Sequence, residues 1–349
     1  MSSVLLMILV AFVILVIGWM LWRSRFRATE AAPVSSIDLS ASDGLALTRQ
    51  TGLFLDSTVD HGPMHAHYLA RACDLAYLGE SEASARFRDE LNLQARLISV
   101  DNTQVYVGEN AESIVVAFRG SESPSSLDGF KDWLLTNSRN FLVLPEGRIG
   151  TDFAAAGVGA RFHRGFMAAL EEVWFPLKST VQAAYDRKER PIWITGHSLG
   201  GAIALMAGWR FHQAFLPVHQ IVTFGAPMVG NQRAADAYHK EFPGKIFRYV
   251  DLSDLVPRMP TISLLSNQYN HVQQEITLGG DQNKTAQSFL SDLAESQPNP
   301  QNDSADDAGN DLTNSSEETL WREVQTQIES HLMANYIARI SDMQSNTIG

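Results

Sequence analysis

The chain has 349 residues, enough for one large domain or two ordinary ones. With 45% hydrophobic and 19% charged residues it is too apolar for a disordered chain, and a net charge of −12 leaves no basic surplus for a phosphate-tracking groove. No nucleic-acid partner is therefore expected. The single cysteine, Cys73, excludes an internal disulfide framework and a cysteine-based zinc cluster, and reads as a small buried hydrophobe.

The first element is Val4–Trp22, an unbroken apolar run without a charge. As a helix rising 1.5 Å per residue it reaches about 28 Å, close to the thickness of a bilayer's hydrocarbon core. A cleaved signal peptide wants a positive leading region and small residues at its cleavage site. Here only Met1-Ser2-Ser3 precedes the run, and the bulky Trp19, Met20, Leu21 and Trp22 close it. An uncleaved transmembrane helix is expected, with its tryptophans at headgroup level. Arg23, Arg25 and Arg27 follow the run and no Lys or Arg precedes it, so the positive-inside rule keeps the body of the protein on the cytoplasmic face. Residues 1–27 then form a single-pass anchor with its basic flank, and residues 28–44, rich in Ala, Ser and Asp, form a tether.

Globular patterning begins near Leu45, and residues 45–349 are expected to form one domain, interrupted by the acidic segment described below. Met64–Leu78 carries apolar residues at helical spacing, and Ala95–Gly108 and Ser113–Gly120 read as strands. Pro191–Gly196 is a short buried-strand candidate that runs into a small-residue helix over Ser198–Phe211. Gln220–Phe224 and Lys245–Val250 add two more strands between helical segments. Strands alternating with helices predict an α/β fold with a mostly parallel sheet covered on both faces. His61, His65 and His67 cluster early, but no cysteine accompanies them, and His65 and His67 point to different sides of a helix. They read as surface or helix-entry residues, and no metal is expected. Asp281–Leu320 holds nine acidic residues and one Lys among many Asn, Gln and Ser. It cannot bury enough apolar surface to offset its ordering entropy and reads as a flexible insertion, so most of the negative charge is local to it.

The most informative residues are Gly196-His197-Ser198-Leu199-Gly200, between the predicted strand and the predicted helix. A nucleophilic serine must project from a sharp, strained turn at a strand's end, and flanking glycines let the neighbouring backbone approach without a Cβ clash. The helix that starts there places its positive end, and the N–H of Leu199, near an anionic intermediate. The bland alternative is a serine that only caps the helix. Where this elbow occurs, an orienting carboxylate and then a histidine follow the serine in chain order. Asp254 lies just after the predicted strand ending at Val250, with Asp251 as the other carboxylate at that strand's end. Two histidines follow, His271 and His331, and spacing does not choose between them.

Several blocks in order make the chain resemble the class 3 (fungal-type) lipases of the α/β-hydrolase fold. They are Val116-Ala117-Phe118-Arg119-Gly120-Ser121, Asp132-Trp133-Leu134, His163-Arg164-Gly165-Phe166, the GHSLGG elbow, Thr223 to Asn231 (TFGAPMVGN) and Asp254 to Pro260 (DLVPRMP). They cover roughly residues 60 to 275, with a further match near His331. The resemblance implies Ser198 as nucleophile, Asp254 as triad acid and His331 as base, leaving His271 and His163 structural. It implies Ser121 as an oxyanion donor beside Leu199, and a lid over Glu122–Leu135. It further implies hydrolysis of a lipid or other carboxylic ester with no metal or organic cofactor. A phospholipase A1, a short-chain esterase and a catalytically silent acyl-binding or scaffold protein are the alternative readings of the same residues.

Overall fold

The computed structural model describes residues 53–120, 142–143, 152–254, 256–258, 269–279 and 329–348. The expected anchor and tether, Ser121 with the lid segment 122–135, and the acidic insertion at 281–320 lie outside the described residues. Among the described residues no helix is long and apolar enough to cross a membrane.

Helix α1 (Pro63–Leu75) starts with proline in its first turn, where the missing N–H costs nothing. It stops three residues short of the expected Leu78, because Tyr77 and Leu78 turn back onto the Asp74 and Leu75 carbonyls. Helix α2 (Glu80–Leu91) was not anticipated, since only Ala83, Phe87 and Leu91 are buried among its charges. Its acidic first turn and left-handed Asn92 cap mark its two ends.

The segment expected as one strand from Ala95 to Gly108 is a hairpin, β1 (Gln94–Val100) and β2 (Thr103–Glu109). Val100 pairs with Thr103 around a two-residue Asp-Asn turn, with Asp101 at φ 50°. Such tight hairpin turns need positive φ, which Asp and Asn tolerate. Then follow β3 (Ile114–Phe118), β4 (Leu142–Val143), β5 (Phe162–His163), α3 (Arg164–Arg187), β6 (Ile192–His197) and α4 (Leu199–Gln213). The chain continues through β7 (Val218–Phe224), β8 (Gly230–Asn231), α5 (Gln232–Glu241), β9 (Ile246–Asp251), a 3-10 turn (Val256–Arg258), β10 (Tyr269–Asn270), β11 (Gln274–Leu278) and α6 (Met333–Ile348).

The main sheet has the order β1-β2-β3-β6-β7-β9-β11, antiparallel from β1 to β3 and parallel from β3 onward. The expectation of a mostly parallel sheet holds. Alternate residues of each central strand serve opposite faces. Ile114, Val116, Ile194 and Ile221 pack with Leu170, Val173 and Leu177 of α3 and with Trp209 of α4. Val115, Trp193, Val222 and Tyr249 pack with Leu69 of α1 and with Tyr336 and Ile340 of α6. Both faces are apolar, which is why these strands read as continuous hydrophobic runs. Each large side chain so buried contributes about 1.5–3 kcal/mol.

At the N-terminal edge of the central strands, buried Arg190 reaches Glu109 at 2.9 Å and the Ala184 carbonyl at 2.7 Å, tying the end of α3 to β2. A small second sheet has the order β10-β8-β5-β4. Asn231 joins it to α5 by accepting from Arg161 and Ala234 N–H groups at 3.1 Å each.

Candidate active site

Strand β6 and helix α4 meet at Ser198, whose backbone sits at φ 56°, ψ −128°. A non-glycine residue in this region is strained, by roughly 1–3 kcal/mol, and persists only where its surroundings enforce it. They do so here by close approach. A Cβ on Gly196 would run into the Gly200 backbone, and one on Gly200 would meet the Phe118 carbonyl oxygen. Ser198 N–H is held by the Phe224 carbonyl at 3.0 Å. Its side chain makes no capping bond to α4, so the bland reading as a helix cap fails.

The Ser198 Oγ lies 2.9 Å from Nε2 of His331, and Nδ1 of His331 lies 2.8 Å from Oδ2 of Asp254. A carboxylate only accepts, so Nδ1 carries the proton, and in the neutral ring Nε2 is left to accept from the serine hydroxyl. All three residues are buried. Asp254 is fully buried, and its charge is met by donors on both oxygens. Tyr336 donates its hydroxyl to Oδ2 at 2.7 Å, and Val256 N–H donates to Oδ1 at 2.9 Å. The structure thus brings Ser198, Asp254 and His331 together across 133 residues of chain separation. Leu199 opens α4 beside them, and the first N–H groups of a helix have no partner within it.

The other candidates sit elsewhere. Asp251, at the end of β9, accepts from Asn335 at 2.9 Å and from Ser253 N–H at 2.8 Å, and faces Arg339 at 3.4 Å. It anchors the turn that presents Asp254. His271 donates to the Pro257 carbonyl beside Arg248, and burial pushes its imidazole down to about 3. His163 caps α3 by accepting from Phe166 N–H at 3.2 Å, and burial pushes it down to about 4. Ser121 lies outside the described residues.

The early histidines sit at the entry of α1, as expected, but His61 and His65 are drawn into contacts instead of facing the surface. His65 is buried and accepts from Asp56 N–H at 3.3 Å, while His61 bonds Gln220 and Tyr249 at 2.9 Å each and stacks on Phe247. Their contacts lie on the apolar α1 face of the sheet, whose packing outweighs their polarity. Among the described residues no group of His, Cys, Asp and Glu forms a metal site. Cys73 is buried, with its thiol 3.1 Å from the Thr195 hydroxyl and pushed up to about 12 by burial.

Sequence reasoning missed two parts of the site. Tyr336 falls five residues after His331 in a helix whose register the sequence alone did not establish. Gly225 was visible only as part of a matching block. It sits at φ 58°, where a Cβ would come 2.9 Å from Oδ2 of Asp254 and 3.1 Å from the His331 ring. Its positive φ could not be read from the sequence, although a glycine directly after a buried strand is the kind of signal that marks close approach.

Residues 115–264 match the family model for class 3 lipases. A secreted mono- and diacylglycerol lipase of Fusarium solani is 34% identical over 52% of this chain and 50% of its own. A chloroplastic phospholipase A(1) of Arabidopsis thaliana is 25% identical over 47% of this chain and 37% of its own. The chain therefore spans half or less of the length of these curated relatives. The solved structure of the nonglycosylated LIP2 lipase of Yarrowia lipolytica shares the fold, with a TM-score of 0.51 at 19% identity over 65% of this chain and 82% of that one. Over residues 115–264 the chain is therefore similar to the class 3 lipases, and its described residues share the α/β-hydrolase fold of a solved lipase.

Proposed function

We propose that the protein is a serine carboxylic-ester hydrolase acting on acylglycerols through Ser198, His331 and Asp254. The observation that carries this reading is the unbroken chain of contacts from the Ser198 hydroxyl through His331 to the buried Asp254 carboxylate. Nε2 of His331 takes the serine proton as Oγ attacks the ester carbonyl, and Asp254 holds the imidazole in the tautomer that permits it. The N–H of Leu199 and Ser121 stabilise the oxyanion, each such donor supplying about 10²–10³ in kcat. The protonated His331 then delivers its proton to the departing alcohol, and water attacks the acyl-enzyme by the same route. These steps need no metal or organic cofactor. A catalytically silent binding protein has no use for a strained serine aligned on a histidine.

The similarity to the Arabidopsis phospholipase A(1) favours a second substrate reading, release of a fatty acid from a phospholipid. One assay separates the two. Purified protein is given diacylglycerol and phosphatidylcholine in mixed micelles, and free fatty acid and lysophospholipid are resolved. Fatty acid from diacylglycerol, lost in Ser198→Ala, supports the acylglycerol reading. Lysophospholipid as the main product favours the other, and release undiminished in Ser198→Ala removes the serine from the mechanism.

The N-terminal sequence supports placing this chemistry at a membrane. In the proposed arrangement Val4–Trp22 spans the bilayer and Arg23, Arg25 and Arg27 keep the catalytic body on the cytoplasmic face. Resistance to alkaline carbonate extraction, together with protease access to the body from the cytoplasmic side, is the result this arrangement predicts.

A further inference from the structure

His197 occupies the variable position of the elbow, and its side chain has no part in the proton transfers above. It is nonetheless buried between two other segments of the site. Its Nε2 lies 2.7 Å from the main-chain carbonyl oxygen of His331, and its Nδ1 lies 2.7 Å from the hydroxyl of Tyr77. The directions of these bonds follow from the chemistry. A carbonyl only accepts, so Nε2 carries the proton and donates. Burial holds the imidazole well below its ordinary value, so the ring is neutral and Nδ1 accepts the Tyr77 O–H. The Tyr77 oxygen in turn accepts the N–H of Gly120. A Cβ at Gly120 would collide with the Tyr77 hydroxyl and approach the His197 carbonyl oxygen, so this glycine is what allows the contact. The His197 and His331 rings also pack at 4.7 Å between centroids.

We propose that Tyr77 and His197 form a positioning relay, Gly120 N–H to Tyr77 O–H to His197 to the His331 carbonyl, that fixes the base and the strand end before Ser121 against the nucleophile elbow. This rests on the hydrolase reading of Ser198 and His331 and extends it to residues that never touch the reacting atoms. The physical need is clear. His331 arrives from a distant part of the chain, and its ring alone does not determine its main-chain position. Bonds chained in one direction through a dry site reinforce one another. Losing a positioning contact costs up to about 10² in rate through misplacement of the base.

The test uses the full-length protein with three variants, His197→Phe, His197→Gln and Tyr77→Phe. A fluorophosphonate probe measures the rate at which Ser198 is labelled, and a soluble p-nitrophenyl ester gives kcat and KM. In His197→Phe, labelling and kcat are expected to fall by about 10–100-fold with KM within about twofold of wild type. The Gln amide reaches the place of Nε2–H and should restore the rate to within about threefold, which a purely space-filling role does not predict. Tyr77→Phe should lose rate in the same sense, and the double variant with His197→Phe should be no slower than His197→Phe alone. Wild-type labelling of His197→Phe, or a Gln variant as slow as the Phe variant, overturns the relay. Should His197→Phe fail to fold, Tyr77→Phe decides, and an unchanged rate there overturns it. A wild-type protein that is not labelled at all instead brings down the hydrolase reading, and the relay with it.

Discussion

Tyr336 donates to the very oxygen of Asp254 that faces His331, 2.7 Å from Oδ2 where the imidazole is 2.8 Å away. The same hydroxyl accepts the N–H of Asp251 at 3.2 Å, so one residue of α6 joins Asp254, its supporting turn and the helix that follows His331. Asp254 is fully buried, and the charge it must keep depends on such donors.

Tyr336→Phe removes this donor while leaving the ring in its pocket. A hydrogen bond to a buried charge contributes about 1.5–3 kcal/mol, and that loss is expected in urea unfolding. The freed carboxylate should also hold His331 less firmly, with a fall in kcat on the order of tenfold and little change in KM.

Gly225→Ala tests the close approach on the other side of the pair. At φ 58° an L-residue is strained by about 1–2 kcal/mol, and the new methyl would push directly on Asp254 and the His331 ring. Activity is expected to drop by at least about 100-fold, with a smaller loss of stability. A fully active alanine variant would mean that this corner of the site is looser than its distances state.

The two histidines that sequence spacing left open can be separated by function. His271→Ala loses the bond to the Pro257 carbonyl and should destabilise by about 1–3 kcal/mol, while kcat stays within about tenfold of wild type. If ester hydrolysis disappears in a folded His271→Ala protein, the assignment of the base to His331 is wrong.

Burial also predicts a pH dependence of stability. His163 is held down to about 4 in the folded protein against about 6.5 when unfolded. Its contribution is complete above about pH 6.5 and is lost as pH falls through 4, because the unfolded chain takes up the proton first. The slope is about 1.4 kcal/mol per pH unit across that window, and His61, pushed down to about 4, and His271, to about 3, add in the same sense. His163→Asn keeps an acceptor for Phe166 N–H but cannot titrate. Between pH 7 and pH 5 it should lose about 1–2 kcal/mol less than wild type in urea unfolding.

The central strands were legible because both faces of the sheet are covered, which writes Ile192 to Thr195 and Ile114 to Phe118 as nearly unbroken apolar runs. The elbow was legible because its glycines have a steric duty that the surrounding pattern announces. The hairpin at Asp101 was hidden, since an Asp-Asn turn between two apolar segments lacks the usual glycine. Helix α2 was hidden by a buried stripe only one residue wide, at Ala83, Phe87 and Leu91. The strand ending at Val250 points to Asp254 but leaves Asp251 beside it as a second carboxylate. Spacing does not choose between His271 and His331, because long-range packing alone brings His331 to Ser198, and only the resemblance points to it. Tyr77, His197 and Tyr336 act through contacts between distant segments, and no local pattern encodes those.

Intact-protein and peptide mass spectrometry after fluorophosphonate treatment of wild type, Ser198→Ala and His331→Ala decides whether Ser198 is the nucleophile and His331 its base. One adduct is expected on the Ser198 peptide of the wild type, none in Ser198→Ala, and labelling slowed by at least about 10³-fold in His331→Ala. Rapid labelling of a folded His331→Ala protein, or an adduct on another residue with Ser198 unmodified, would contradict that assignment.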